Sequence, residues 1–326
     1  MASNHTYTFQ TEDVQGDTFT QLLGINDFNE IVGYHGMAVN QGEVLSLKSG
    51  FTSENFPASA QTQVVGVNNS GVTDGFYVDG NGVTHGFIDK HGNFSIVDAR
   101  NTAFNQLLGI NDKHQEVGYS STDPTGMTMQ RAFIVESNGK IEHLHLPSNV
   151  NSQATGINDE GTVVGFLQPT SSTSEGFIQE DGHTHLLNVP GSTFTQALGI
   201  NNLGEVVGDY VDANGNTNGF IFDNGKYTTV DVPGATQTTI NGINDFGNIV
   251  GFDQTPDGVT HGFVGNPLYG LVKGADLNDL IPGLNSQSNA NGGQGAGGGQ
   301  NTFNHFGAAD FVSLGFAPAN ILAHQN

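Results

Sequence analysis

Cysteine is absent, and basic residues are scarce: 8 Lys and Arg stand against 32 Asp and Glu in 326 residues. Without cysteine there are no disulfides and no thiolate metal sites, and the redox compartment stays open. The imbalance gives a net charge of −24. Such a surface repels phosphate, so neither nucleic acid nor an anionic membrane is an expected partner. No run approaches the ~20 apolar residues of a membrane span. The opening MASNHTYTFQ has neither a basic start nor an apolar stretch, so no Sec signal peptide is expected in it. A signal already removed, export by another route and residence inside the cell all remain open. Charged residues make up only 12% of the chain while glycine numbers 47, a balance that suits many tight turns and little helix. No Gly-x-Ser-x-Gly, Walker or His-Glu-x-x-His motif occurs, so the sequence assigns no catalytic residue and no cofactor.

What the chain has is a repeat. Gly-(Ile/Val)-Asn triplets begin at Gly24, Gly66, Gly109, Gly156, Gly199 and Gly242, at intervals of 42, 43, 47, 43 and 43 residues. A fixed period of this length signals a repeat architecture and outranks any local motif. The copy at 195–234 is the cleanest. It holds four short runs rich in Val, Ile, Phe, Tyr and Thr, which suit a pleated surface. The runs are separated by Asn-, Asp- and Gly-rich turn clusters. Four strands in ~43 residues match one propeller blade. The fold class expected is therefore all-β: a six-bladed β-propeller of four-stranded antiparallel blades with a C-terminal extension. A lone four-stranded sheet cannot bury both its faces; six in a ring can.

The ends fix how the ring closes. Residues 7–14, YTFQTEDV, resemble the fourth strand of other units, and the sixth unit offers only three strands, ending near Val264. The N-terminal strand is thus expected to complete the last blade, which removes an exposed sheet edge and sets the strand beginning at Gln196, with its counterparts, innermost. The propeller is placed at residues 1–266. Unit one (20–58) departs most, reading Glu43-Val44 where others read Gly-Phe; unit three ends in KIEHLHL, with a longer loop around residues 123–130. The extension, 267–326, contains a Ser-, Asn-, Gln- and Gly-rich linker at 285–300 and an apolar segment at 303–323.

Runs of the form GIN-x-x-G-x-(I/V)-V-G, then D-x-x-G, then a triplet ending in Phe, resemble the HAF-repeat family of bacterial extracellular proteins. Here the triplets are His85-Gly86-Phe87, Arg131-Ala132-Phe133, Glu175-Gly176-Phe177, Asn218-Gly219-Phe220 and His261-Gly262-Phe263. The resemblance covers about residues 7–264. It implies a secreted or cell-surface protein and carries no catalytic residues with it.

Candidate sites follow from the repeat and its exceptions. The triplet Asn residues (Asn26, Asn68, Asn111, Asn158, Asn201, Asn244) read as Asx turns leaving the innermost strand. The recurring Phe87, Phe133, Phe177, Phe220 and Phe263 read as inter-blade core. Gln21, Gln63, Gln106, Gln153 and Gln196 share one position on the innermost strand, which lines the channel of a propeller. A ring of amides there could hold water, an ion or a sugar hydroxyl, or could simply bond neighbouring blades together. The Asp-x-Asn-Gly stretches lack the ligand series of a calcium loop and read as hairpin turns. His143 and His145, and His183 and His185, are i, i+2 pairs on outermost strands, the only weak candidates for a metal. In the extension, Phe303, Phe306, Phe311, Leu314, Phe316, Ile321 and Leu322 suggest assembly with another copy of the chain or C-terminal, type I-like export.

The function expected is a non-catalytic, secreted or cell-surface module that binds an extracellular protein or glycan or assembles with itself as a homo-oligomer or filament. A lectin-like carbohydrate-binding propeller is the alternative, and a hydrolase or lyase with a channel-mouth site is a third reading.

Overall fold

The computed structural model describes residues 6–268, and every regular element among them is a β-strand. The sequence expectations for the linker and the apolar segment of the extension fall outside the described residues. Six units of four antiparallel strands follow one another, and each pairs its strands in chain order. Unit five shows the plan: Thr195–Ile200, Val206–Val211, Thr217–Asp223 and Lys226–Thr229. Units two and three also share one parallel bridge, Thr84 to Phe104, so these two blades continue as one eight-stranded sheet.

The sixth blade takes its outermost strand from the other end of the chain. Tyr7–Thr11 runs antiparallel to Thr260–Pro267, with Tyr7 opposite Pro267 and Thr11 opposite Phe263. Phe9 meets Phe263 edge to face at 5.5 Å, and His261 Nδ1 lies 2.7 Å from Asp13 Oδ2. The ring is closed by the N-terminal strand, and the third strand of unit six runs on to Pro267.

Two glycine positions show why the repeat is written as it is. In every unit the first strand slips register by one residue just before its Gly-(Ile/Val)-Asn triplet, as between Ala197 and Gly199. This bulge pushes the carbonyl of the preceding Gln against the second strand. A Cβ on Gly208 would lie 1.9 Å from Gln196 O, and one on Gly33 2.1 Å from Gln21 O. Only glycine fits there, and the facing Phe (Phe220 opposite Gly208) covers the space. The second position is Gly24 and its counterparts, which let the innermost strands meet: an added Cβ on Gly24 would stand 3.2 Å from Gly66 Cα, and one on Gly242 3.3 Å from Gly24 Cα.

Apolar residues fill the spaces between blades. Val207 and Ile221 of unit five pack with Ile240, Ile243, Ile249 and Phe263 of unit six. All five repeated Phe side chains are fully buried. Burying one such side chain is worth ~1.5–3 kcal/mol. Each unit is also sewn to the next by a side chain. Thr20, Thr62, Thr195 and Thr238 each accept the amide of the residue six positions back, and Asn105 does the same for Ala99.

Unit one differs from its sequence alignment by one residue. Gly42 and Glu43, not Glu43 and Val44, occupy the Gly-Phe positions, since Gly42 faces Tyr34 and Glu43 faces Gly33. A carboxylate therefore takes the place of the core Phe. It is met by His35, whose Nε2 is 3.0 Å from Glu43 Oε1 and whose Nδ1 is 2.7 Å from Asp17 Oδ2. The fourth strand of unit three is shorter than expected and spans only Ile141–His143.

Candidate functional site

At one face of the ring the six turns form two closed belts of hydrogen bonds. Asn201 shows the first. Its Oδ1 accepts the amides of Leu203 and Glu205, and its Nδ2 donates to Asn244 O at 3.0 Å. Asn26, Asn68, Asn111 and Asn158 donate likewise to the corresponding carbonyl of the next unit, and Asn244 closes the circle on Asn26 O at 3.1 Å. The following residue forms the second belt. Each of Asp27, Asn69, Asp112, Asp159, Asn202 and Asp245 accepts, at Oδ1, the amide of its counterpart one unit back. Asn69 Nδ2 reaches Asp27 and Asp112, and Asn202 Nδ2 reaches Asp159 and Asp245. These six equal positions hold six blades together.

The axis itself is narrow. The cavity along it has about 80 Å³, and its side chains include Leu23, Val65, Leu108, Thr155, Leu198 and Asn241. The repeated Gln residues are not among those that line it. Gln21 Oε1 accepts Tyr34 Oη–H at 2.7 Å within its own unit. Gln63 Nε2 reaches back to Asn40 Oδ1 in unit one at 2.8 Å, and Gln153 Nε2 to Gln130 Oε1 in unit three at 3.1 Å. Gln106 and Gln196 are buried, and among the described residues Gln106 Oε1 has no partner. His143, His145, His183 and His185 are exposed. His183 Nδ1 contacts Asp181 O at 3.0 Å and His143 stands edge to face on Phe133. Among the described residues, no three His, Asp or Glu side chains converge as a metal centre.

A third region breaks the sixfold pattern. Between units two and three lies a cavity of about 330 Å³ with Lys90, Asp98, His114, Glu116 and Glu136 on its polar side. Ile88, Val97, Val135 and Ile141 form its apolar wall. Two departures from the repeat line it, and a third lies close to one of them. Five residues after the triplet Asn, other units place Ile31, Thr73, Val163, Val206 or Ile249; unit three places Glu116. Six residues after it, others place Val32, Val117, Val164, Val207 or Val250; unit two places Asp74. Three residues after it the backbone turns left-handed, with glycine at Gly71, Gly161, Gly204 and Gly247 and asparagine at Asn29. Unit three puts His114 there at φ 57°, a strain of roughly 1 kcal/mol or more for a side chain of this kind.

Glu116 is 3% exposed, and its carboxyl receives only its own amide. Burial pushes it up to about 7, while Lys90 pulls it down. Asp74 is fully buried, and among the described residues neither carboxyl oxygen has a hydrogen-bond partner. Burial first, and then the charge of Glu116, raise it well above the usual carboxylate range, against the nearby amides of Gly66 and Gly109. Glu136 Oε2 accepts Gln115 Nε2 at 2.8 Å, and Asp98 Oδ2 lies 2.6 Å from His85 Nδ1. Sequence reasoning passed over Asp74, His114 and Glu116. Each is legible as a polar or bulky residue in a column of Val, Ile or Gly.

In sequence, no family model and no curated protein matches the chain. In structure, it is similar to TolB from Acinetobacter baumannii, with a TM-score of 0.51 at 9% identity over 74% of this chain and 64% of that one. It therefore spans a little under two thirds of that protein. It is also similar to AofleA from Arthrobotrys oligospora (TM-score 0.51, 9% identity, 79% and 86% covered). A gluconolactonase from Xanthomonas campestris gives a TM-score of 0.50 at 12% identity, with 80% and 90% covered. At these identities the likeness concerns the fold alone, and that fold is a β-propeller.

Proposed function

We propose that this propeller is a non-catalytic binding module whose ligand, free or carried by a partner, enters the groove between units two and three. One observation carries the reading: two departures from the repeat, His114 and Glu116, line one cavity with a third, Asp74, near Glu116, while the sixfold positions are consumed in holding blades together. A narrow axis lined by Leu, Val, Thr and Asn offers little to a channel-mouth enzyme. The HAF-like repeats support a place outside the cell. The acidic surface supports partners without phosphate.

The test is a thermal-shift screen of small molecules and glycans against the full chain and against Ser137→Trp. Ser137 lines the groove, and the indole would fill its mouth. Ligands that raise the melting temperature of the native chain are expected to lose their effect on the variant. If hits act equally on both, the groove is not where they bind.

A further inference from the structure

The groove carries more acid than its surroundings neutralise. Glu116 and Glu136 face into it together with Asp98, and Lys90, an exposed side chain, is the cation on the other side. Among the described residues, Glu116 makes no ion pair and accepts no hydrogen bond from another residue. A buried carboxylate without a partner is unfavourable by several kcal/mol unless something compensates it. Other units show that the fold has no need of it: isoleucine or valine serves at four of the five equivalent positions. Asp74 stands close enough to Glu116 that a charge on either disfavours a charge on the other, so a cation in the groove would relieve both. The remaining wall, of Ile88, Val97, Val135 and Ile141, suits a hydrocarbon. About 330 Å³ is at the lower end of the range for small-molecule pockets, ~300–1,000 Å³.

We infer that this groove binds an ammonium or guanidinium group on a short aliphatic stem, the cationic head against Glu116 and the stem along the apolar wall. This rests on the reading of the groove as the binding site. The chemistry is shared by a free alkyl amine and by a lysine or arginine side chain presented by a partner protein. A hydrogen bond to a charged group is worth ~1.5–3 kcal/mol, or about 10- to 100-fold in affinity. Lys90 limits the gain by competing for the same carboxylates, and a ligand head must displace its influence.

The experiment is a calorimetric titration of the full chain, at ~0.15 M salt to screen the net charge, with four probes. They are agmatine, a short Lys- and Arg-containing peptide, a neutral alcohol of the same stem length, and a monosaccharide. Glu116→Gln and Glu116→Ile are titrated in parallel after their melting curves show them folded; the isoleucine restores the residue of units one and six. The expected result is binding of agmatine, of the peptide, or of both, weakened about 10- to 100-fold in both variants, with the alcohol bound far more weakly. Agmatine alone would identify a free amine as the source, the peptide alone a presented side chain. Cation binding equal in native and variant chains would overturn the inference, since net charge alone would explain it. Binding of the sugar or alcohol, but no cation, lost in Ser137→Trp, would overturn the cationic ligand and leave the groove reading intact. No binding by any probe, with no hit in the screen that Ser137→Trp abolishes, would overturn both.

Discussion

The belted face and the groove between units two and three are built from corresponding residues of the same repeat, yet they differ in what those residues do. On the belted face, six Asn side chains each cap their own turn and reach the next unit. The Asn Nδ2-to-carbonyl bond and the amide-to-Oδ1 bond of the next residue each recur in all six units. In the groove, Glu116 and Asp74 replace apolar residues and find almost none. Symmetry in a closed ring is therefore a sign of structure: equal positions exist because equal joints need them. Departures from symmetry that bring burial without partners are where binding is to be sought, because the fold alone gives no reason to retain them.

The comparison can be broken or sharpened by substitution. The largest effect is expected from opening the ring. Removing residues 1–16 takes away the closing strand with Tyr7, Phe9 and the Asp13 contact of His261, and should destabilise the fold by about 3–5 kcal/mol. An unchanged melting temperature, with the chain still monomeric, would contradict closure by this strand. Gly208→Ala follows. Its Cβ meets the Gln196 carbonyl at 1.9 Å, and a loss of about 2–3 kcal/mol in denaturant unfolding is expected. Asn201→Ala leaves the amides of Leu203 and Glu205 and the carbonyl of Asn244 without their side-chain partner, a loss of about 2 kcal/mol.

The groove should respond with the opposite sign. Glu116→Ile and Asp74→Val each restore the repeat and are expected to raise stability at pH 8 by about 1–3 kcal/mol. The same carboxyls predict how stability depends on pH. Burial lifts Glu54, Glu116 and Asp209 to about 7 and Asp253 to about 6. These groups bind protons more tightly folded than unfolded. Their contribution is complete below the unfolded values near 4, and is lost as pH rises through 6 to 7. The turn carboxylates Asp79, Asp123 and Asp212 are lowered and act the other way, but they sit in surface turns, partly exposed and screened. The melting temperature should therefore be higher at pH 5 than at pH 8, and the difference should shrink in Glu116→Ile. The smallest effect on stability is expected from deleting residues 285–326. Their composition suggests assembly or export, so melting should hold while oligomer size or secretion falls.

Much of the fold was legible in the sequence because a propeller repeats its physics. The period gave the units, the triplet Asn gave the turn, and residues 7–14 gave the closing strand. Less legible were features that depend on contacts between units. The first-strand bulge turns Gln side chains toward Tyr34, Asn40 and Gln130 rather than into the axial cavity. The one-residue offset at Glu43 is visible only in the pairing with Gly33. The groove residues lie some 40 residues apart, in columns that mark them as exceptions, but only the packing of units two and three against each other shows that the exceptions meet.

The most direct test is differential scanning calorimetry at pH 8, with and without agmatine, on the native chain and on the triple variant Asp74→Val, His114→Gly, Glu116→Ile, which gives the groove the residues of the other units. If the departures serve binding at the expense of stability, the variant melts higher than the native chain and agmatine shifts only the native transition. A variant that melts lower, or that agmatine stabilises as much as it does the native chain, would contradict that claim.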